Sequence, residues 1–191
     1  MKTFELTGTL RTDLGKKATK AIRANNGVPC ELYGMGQNIH FTCTNSNLRK
    51  LIYTPDIYVV NLDIEGQKMQ AIMKDIQFHP VSDQVTHIDF MQVDENHPIT
   101  IDVPVKLEGL AVGVRAGGKL SLDKRKLRVK ALYANIPEQL VVNVEELDLG
   151  KSILVRALQF DNLELLTAPN AVVCTVKLTR AARGAAAKAQ Q

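Results

Sequence analysis

Five cations, Arg11, Lys16, Lys17, Lys20 and Arg23, stand against one acid, Asp13, between Arg11 and Arg23 of the stretch RTDLGKKATKAIRANNGVPCELY, whose second acid, Glu31, comes only near its end at Tyr33. Residues 24–93 then hold four Lys or Arg against seven Asp or Glu, so the positive charge of the first half is concentrated in one short segment. Clustered cations beside ordinary globular sequence suit a surface that meets a polyanion, most often a nucleic acid, with ammonium and guanidinium groups set against phosphates. A short amphipathic helix also displays lysines simply to stay hydrated, and the cluster alone does not separate the two readings.

Other chemistry-bearing patterns are weaker. Gly113 to Leu120, GVRAGGKL, comes one residue from a phosphate-binding loop, but Leu120 stands where a magnesium-binding Ser or Thr is needed. The structural reading is a glycine-rich loop making tight turns. Cys30, Cys43 and Cys174 lack CxxC spacing and read as small buried hydrophobes in a reducing compartment. His40, His79, His87 and His97 form no HExxH pattern, and no GxSxG elbow occurs, so neither a metal site nor catalysis is expected. The basic run Lys124 to Lys130 is offset by eleven acids in the same half and reads as a solvated face or a hairpin edge.

The elements that must hold these residues follow from periodicity. Phe4 to Arg11 alternates as a half-buried strand, with Gly8 on the apolar phase marking a bulge or a close backbone approach. Ala18, Ala21 and Ile22 give one apolar stripe on a short helix, stopped by Asn25-Asn26-Gly27. Strands follow through Glu31 to Tyr33 and Ile39 to Thr44. A helix carrying Leu48, Leu51 and Ile52, capped by Ser46 or Asn47, ends before Pro55. Tyr58 to Ile64 and Met69 to Phe78 form a hairpin around Glu65-Gly66-Gln67, and Thr86 to Val93 is one more strand. His87 and Asp89 are two apart on it and share a face, with Ile88 and Phe90 turned inward.

A polar segment, Asp94 to Pro98, marks a boundary. Beyond it strands recur at 99–107, 127–133, 140–144, 153–158 and 171–178, with Pro104 suggesting an edge position and a turn at Gly150. The expected fold class is mainly β with short helices: a six-stranded-type β-barrel over 1–94 and a second β-rich domain over 95–179. Residues 180–191, RAARGAAAKAQQ, read as a basic, alanine-rich mobile tail. Net charge is +4 with a sequence pI near 9.0, too mild for a histone-like binder. No apolar run approaches 18 residues and no signal peptide is apparent, so a cytoplasmic location is the default expectation.

Three blocks, 11–34, DIQFHPVSDQVTHIDFMQV (75–93) and GVRAGGKL (113–120), together resemble the bacterial large-subunit ribosomal protein twenty-five family in its long two-domain form, the family of the general stress protein CTC. The resemblance covers residues 1 to about 178. It implies a barrel that binds 5S ribosomal RNA at internal loop E, a C-terminal β domain of the CTC type, other large-subunit components as partners, and a ribosome-associated location. It implies no enzyme activity, cofactor, membrane or small-molecule substrate. The matching positions are Arg11, Lys16, Arg23, Tyr33, Gln77, His87 and Asp89, and the charge cluster adds Lys17 and Lys20. The helix departs from the arginine-richer family pattern at Thr19, Lys20 and Asn25-Asn26.

Read without that resemblance, His87 and Asp89 fit a local side-chain bond, and Tyr33 fits either a stacking platform or an ordinary barrel-rim tyrosine. The alternative functions are an anticodon-binding-type barrel handling tRNA and a stress-induced interaction protein acting off the ribosome.

Overall fold

The computed structural model describes residues 1–94 and 96–180. The tail expectation over 180–191 therefore lies, apart from Arg180, outside the described residues. The chain divides into two compact units, Met1–Ile99 with Leu132–Ala134, and Thr100–Ala131 with Asn135 onward. Among the described residues no helix is long and apolar enough to cross a membrane.

The first unit contains β1 (Lys2–Leu10), α1 (Lys16–Ala24), β2 (Gly27–Gly34), β3 (Gln37–Thr44), α2 (Asn45–Ile52), β4 (Tyr58–Ile64), β5 (Gln67–Phe78) and β6 (Val85–Gln92). Its six strands close into a barrel in the order β1-β3-β2-β6-β5-β4. The inward phase of each strand supplies the core, with Leu6, Leu32, Phe41, Leu62, Ile88 and Phe90 almost fully buried. Phe41 and Phe90 meet across it at 5.7 Å between ring centroids. Gly8 is a close approach: a Cβ there would fall 2.7 Å from the Phe41 ring. Cys30 and Cys43 are buried free thiols. A hydrogen bond to Cys43, together with burial, pushes the Cys30 thiol up and keeps it neutral.

Two local expectations change. Helix α2 begins at Asn45 with Thr44 as its N-cap and no side-chain cap bond, so neither Ser46 nor Asn47 caps it. Burial of Leu48 and Leu51 in the barrel core pins it instead, each contributing about 1.5–3 kcal/mol. In α1 no residue is fully buried. Ala18 and Ile22 are half-buried while Ala21 faces solvent, so the apolar stripe is narrower than the spacing suggested.

The second unit contains β7 (Ile99–Glu108), α3 (Val112–Arg115), β8 (Lys119–Leu122), β9 (Lys126–Ala131), β10 (Leu140–Asn143), β11 (Ser152–Leu154), β12 (Glu164–Leu165) and β13 (Val172–Lys177). They form a four-stranded sheet, β10-β7-β9-β12, and a three-stranded sheet, β11-β13-β8. Pro104 is not on an edge strand, because β7 lies between β10 and β9. Its missing N–H is tolerated because pairing with β10 starts one residue later, at Val105. The Val105 N–H itself donates to Arg125 O on the β9 side at 2.9 Å. Strand β9 is likewise internal, so Lys126, Arg128 and Lys130 line its solvated face rather than a hairpin edge. Arg128 reaches Asp102 at 2.9 Å and Lys130 reaches Glu164 at 3.8 Å.

The glycine-rich stretch spends its amides internally. Gly113 N–H donates to Leu147 O at 2.9 Å, Gly118 N–H to Gly113 O at 2.8 Å and Gly117 N–H to Val114 O at 3.0 Å. A phosphate cradle needs such amides pointing at the ligand. Cβ atoms added at Gly113 and Gly118 would meet backbone at 2.6 Å, so both glycines are there for packing.

Candidate nucleic-acid interface

The outer face of the barrel carries one continuous polar row. Strands β5 and β6 pair antiparallel with irregularities between Met73 and Asp75 and between Gln77 and Phe78. These bulges set Asp75 opposite Asp89 and Gln77 opposite His87. The parallel pairing of β2 with β6 places Glu31 beside Asp89, and β3 adds His40 opposite Glu31. Asp75, Asp89, Glu31 and His40 thus follow one another across four neighbouring strands.

His87 Nδ1 lies 2.9 Å from Asp89 Oδ1, so its Nδ1–H donates to the carboxylate. Both side chains are half-buried. Tyr33 stands close by: burial pushes its phenol up, and the carboxylates of Asp89, Asp75 and Glu31 push it the same way. It therefore keeps its proton and remains a donor. Like charges side by side on neighbouring strands are destabilising unless something donates to them. His87 answers only one of the three carboxylates, so the row is rich in acceptors and suits a ligand that brings hydrogen-bond donors or a cation. One ligand atom each from Glu31, His87 and Asp89 lies within 4.8 Å of the others, a spacing that would also admit a metal ion.

Helix α1 packs on β2. Lys16, Lys20 and Arg23 are spaced i, i+4, i+7 and share a stripe, with Lys17 on the solvent side; all four are exposed. Arg23 Nε donates to Thr86 O at 3.0 Å, next to His87, which ties the helix to β6. Arg23 therefore stands beside the strand that carries His87 and Asp89. The β5–β6 turn is internally ordered: His79 Nδ1 accepts from Val81 N–H at 3.3 Å and from Ser82 N–H at 3.2 Å.

Arg11 is placed differently from the lysines. Its backbone N–H donates to His40 O at 2.9 Å, beside the row, but its Nε is buried without a hydrogen-bond partner. A buried unpaired donor costs about 1–3 kcal/mol. Arg11→Met is therefore expected to raise the free protein's stability by about 1 kcal/mol in denaturant unfolding; a drop of that size would show the guanidinium to be a structural tie instead.

Glu31 and Asp75 belong to the row but carry no chemical signature in sequence. Glu31 shares the phase of Tyr33, two residues on, and Asp75 shares that of Gln77, which marks their face but not their neighbours.

Two family models match the chain. Residues 6–90 match the ribosomal L25p family, and residues 98–180 match the C-terminal domain of ribosomal protein TL5. The chain is 60% identical to large ribosomal subunit protein bL25 of Bacteroides thetaiotaomicron, across 99% of both chains. It belongs to the ribosomal L25p family. The bL25 proteins of Porphyromonas gingivalis and Parabacteroides distasonis are 56% and 55% identical, over 100% and 98% of this chain and all of each relative. The L25p match spans α1 and the whole polar row, and the TL5 match spans the second unit's sheets, so the candidate interface lies in the L25p part of the chain.

Proposed function

We propose that this protein is a structural component of the large ribosomal subunit that binds 5S rRNA at internal loop E through the outer face of its barrel. It is not an enzyme, and it works on the ribosome in the cytoplasm. The observation that carries the reading is the Arg23–Thr86 tie, which joins the cationic stripe of α1 to the strand bearing His87 and Asp89. Lys16, Lys17, Lys20, Arg23 and the outer nitrogens of Arg11 engage phosphates and supply salt-sensitive affinity. Gln77, His87 and Asp89 meet base edges and 2′-hydroxyls in the groove of an irregular loop, and Tyr33 offers its ring and its retained proton.

Acids on an RNA-binding face need a reason. A carboxylate accepts from base amino groups and ribose hydroxyls, donors that regular phosphate contacts leave unused. This favours an RNA whose base edges are exposed over a plain duplex.

Filter binding of purified protein to 5S rRNA, with co-sedimentation on large subunits, tests the proposal. His87→Ala and Asp89→Ala should each weaken binding by about 1–3 kcal/mol. Asp89→Ala should leave the free fold's stability nearly intact, because it also relieves Glu31 and Asp75. Parental affinity in both variants, or equal competition by tRNA, would overturn the assignment.

A further inference from the structure

A second feature flanks α1. Strands β1 and β3 pair only at Thr9↔Thr42 and Leu10↔Phe41, while β1 runs with β4 from Lys2 to Gly8. Where β1 and β3 part, a groove of about 380 Å³ opens, walled by Thr7, Thr9, Thr42 and Thr44 together with Asn25 of the α1 C-terminus and Asn47 of α2. No Lys, Arg, Asp or Glu lines it.

The groove's surface is more apolar than polar, with Ile22 and Cys43 in its lining, and neutral hydrogen-bonding groups are set along it. Thr9 Oγ1 and Thr42 Oγ1 bond each other at 2.6 Å, and the further contact from Thr42 Oγ1 to Thr9 O is long, at 3.5 Å. Each hydroxyl keeps an acceptor lone pair. Ser46 Oγ donates to Thr44 Oγ1 at 3.4 Å, and the side-chain amides of Asn25 and Asn47 make no hydrogen bond among the described residues. Such a lining excludes a free phosphate or a metal ion as the preferred guest, since nothing in it compensates charge. It suits an uncharged group presenting both donors and acceptors. The volume falls within the range of small-ligand sites, which begin at about 300 Å³.

Position selects the guest. Ile22 of α1 and Asn25 just beyond its end face this groove, whereas Lys16, Lys20 and Arg23 lie along a different stripe of the helix. An RNA strand held by its phosphates on α1 brings the sugar and base of a neighbouring nucleotide to the helix's other flank. We propose that the groove takes a nucleoside of the bound RNA, with its ribose 2′-hydroxyl and base edge hydrogen-bonded by Thr42, Asn25 and Asn47. The inference rests on the RNA-binding reading and adds to it a contact without charge.

That neutrality is the test. In the full chain, Thr42→Val keeps the β-branched shape and removes the hydroxyl, and Asn47→Ala trims an exposed helix position; the double variant should bind 5S rRNA about tenfold more weakly. The log–log salt slope should not change, because no phosphate contact is lost. Asn47→Trp, which fills the groove from the helix side, should reproduce the loss, and a 2′-deoxy version of the RNA should shrink the penalty of Thr42→Val. Affinities within twofold of the parent, or a slope flattened by one or more, would overturn the groove assignment while leaving the α1 and His87 contacts standing. Failure of the parent itself to bind would sink the RNA reading instead.

Discussion

Replacing Lys16, Lys17 and Lys20 together by alanine should lower affinity for 5S rRNA about 100- to 500-fold at roughly 0.1 M salt. The figure follows from counterion release: each neutralised phosphate contributes about 0.7–0.9 to the log–log slope, so three lost contacts remove about two to three powers of ten at that salt. The slope itself should flatten by about two to three. All three lysines are exposed on α1, and their side chains make no hydrogen bond or ion pair among the described residues. Alanine is a better helix former, so the free protein should be as stable as before. Arg23 is left in place because its bond to Thr86 O holds the helix against β6. A titration from about 50 to 300 mM salt separates the outcomes: a parental slope would mean that the lysines merely hydrate the helix.

The second large effect concerns the glycine-rich stretch. Gly118→Ala should destabilise the second unit by about 3 kcal/mol. The new methyl would sit 2.6 Å from Gly113 O, 2.5 Å from Val176 Cγ1 and 2.6 Å from Leu149 Cδ2. The backbone oxygen cannot swing aside as a side-chain tip can, so the contact is relieved only by shifting the turn after α3. Thermal unfolding followed by circular dichroism would register the loss. An unchanged melt would mean that the turn is loose, and the stretch would then be open again to a ligand-binding explanation.

Much of the fold was legible one segment at a time. Period-two alternation marks β1, β4, β6 and β7 because a half-buried strand must send successive side chains to opposite faces. The same rule puts His87 and Asp89 together and turns Ile88 and Phe90 inward, as the buried core has them. The charge cluster of α1 is visible because its residues are near neighbours in the chain. Short elements escaped: β8 and β12, of four and two residues, are too brief for periodicity to register.

By itself, then, the sequence determined which faces each segment presents, which short stretch is cationic, and the family to which the chain belongs. Tertiary structure alone decided which faces become neighbours. Glu31 and Asp89 are far apart in sequence and adjacent only because β2 runs parallel to β6, and Asp75 joins them only because a bulge shifts the β5 register. Pro104 is accommodated inside a sheet because β10 begins one residue beyond it. The groove beside α1 exists because two strands pair for two residues and then part. Periodicity is local and says how a strand faces the core; register and divergence are settled by the packing of the whole barrel, and it is there that the polar row and the groove arise.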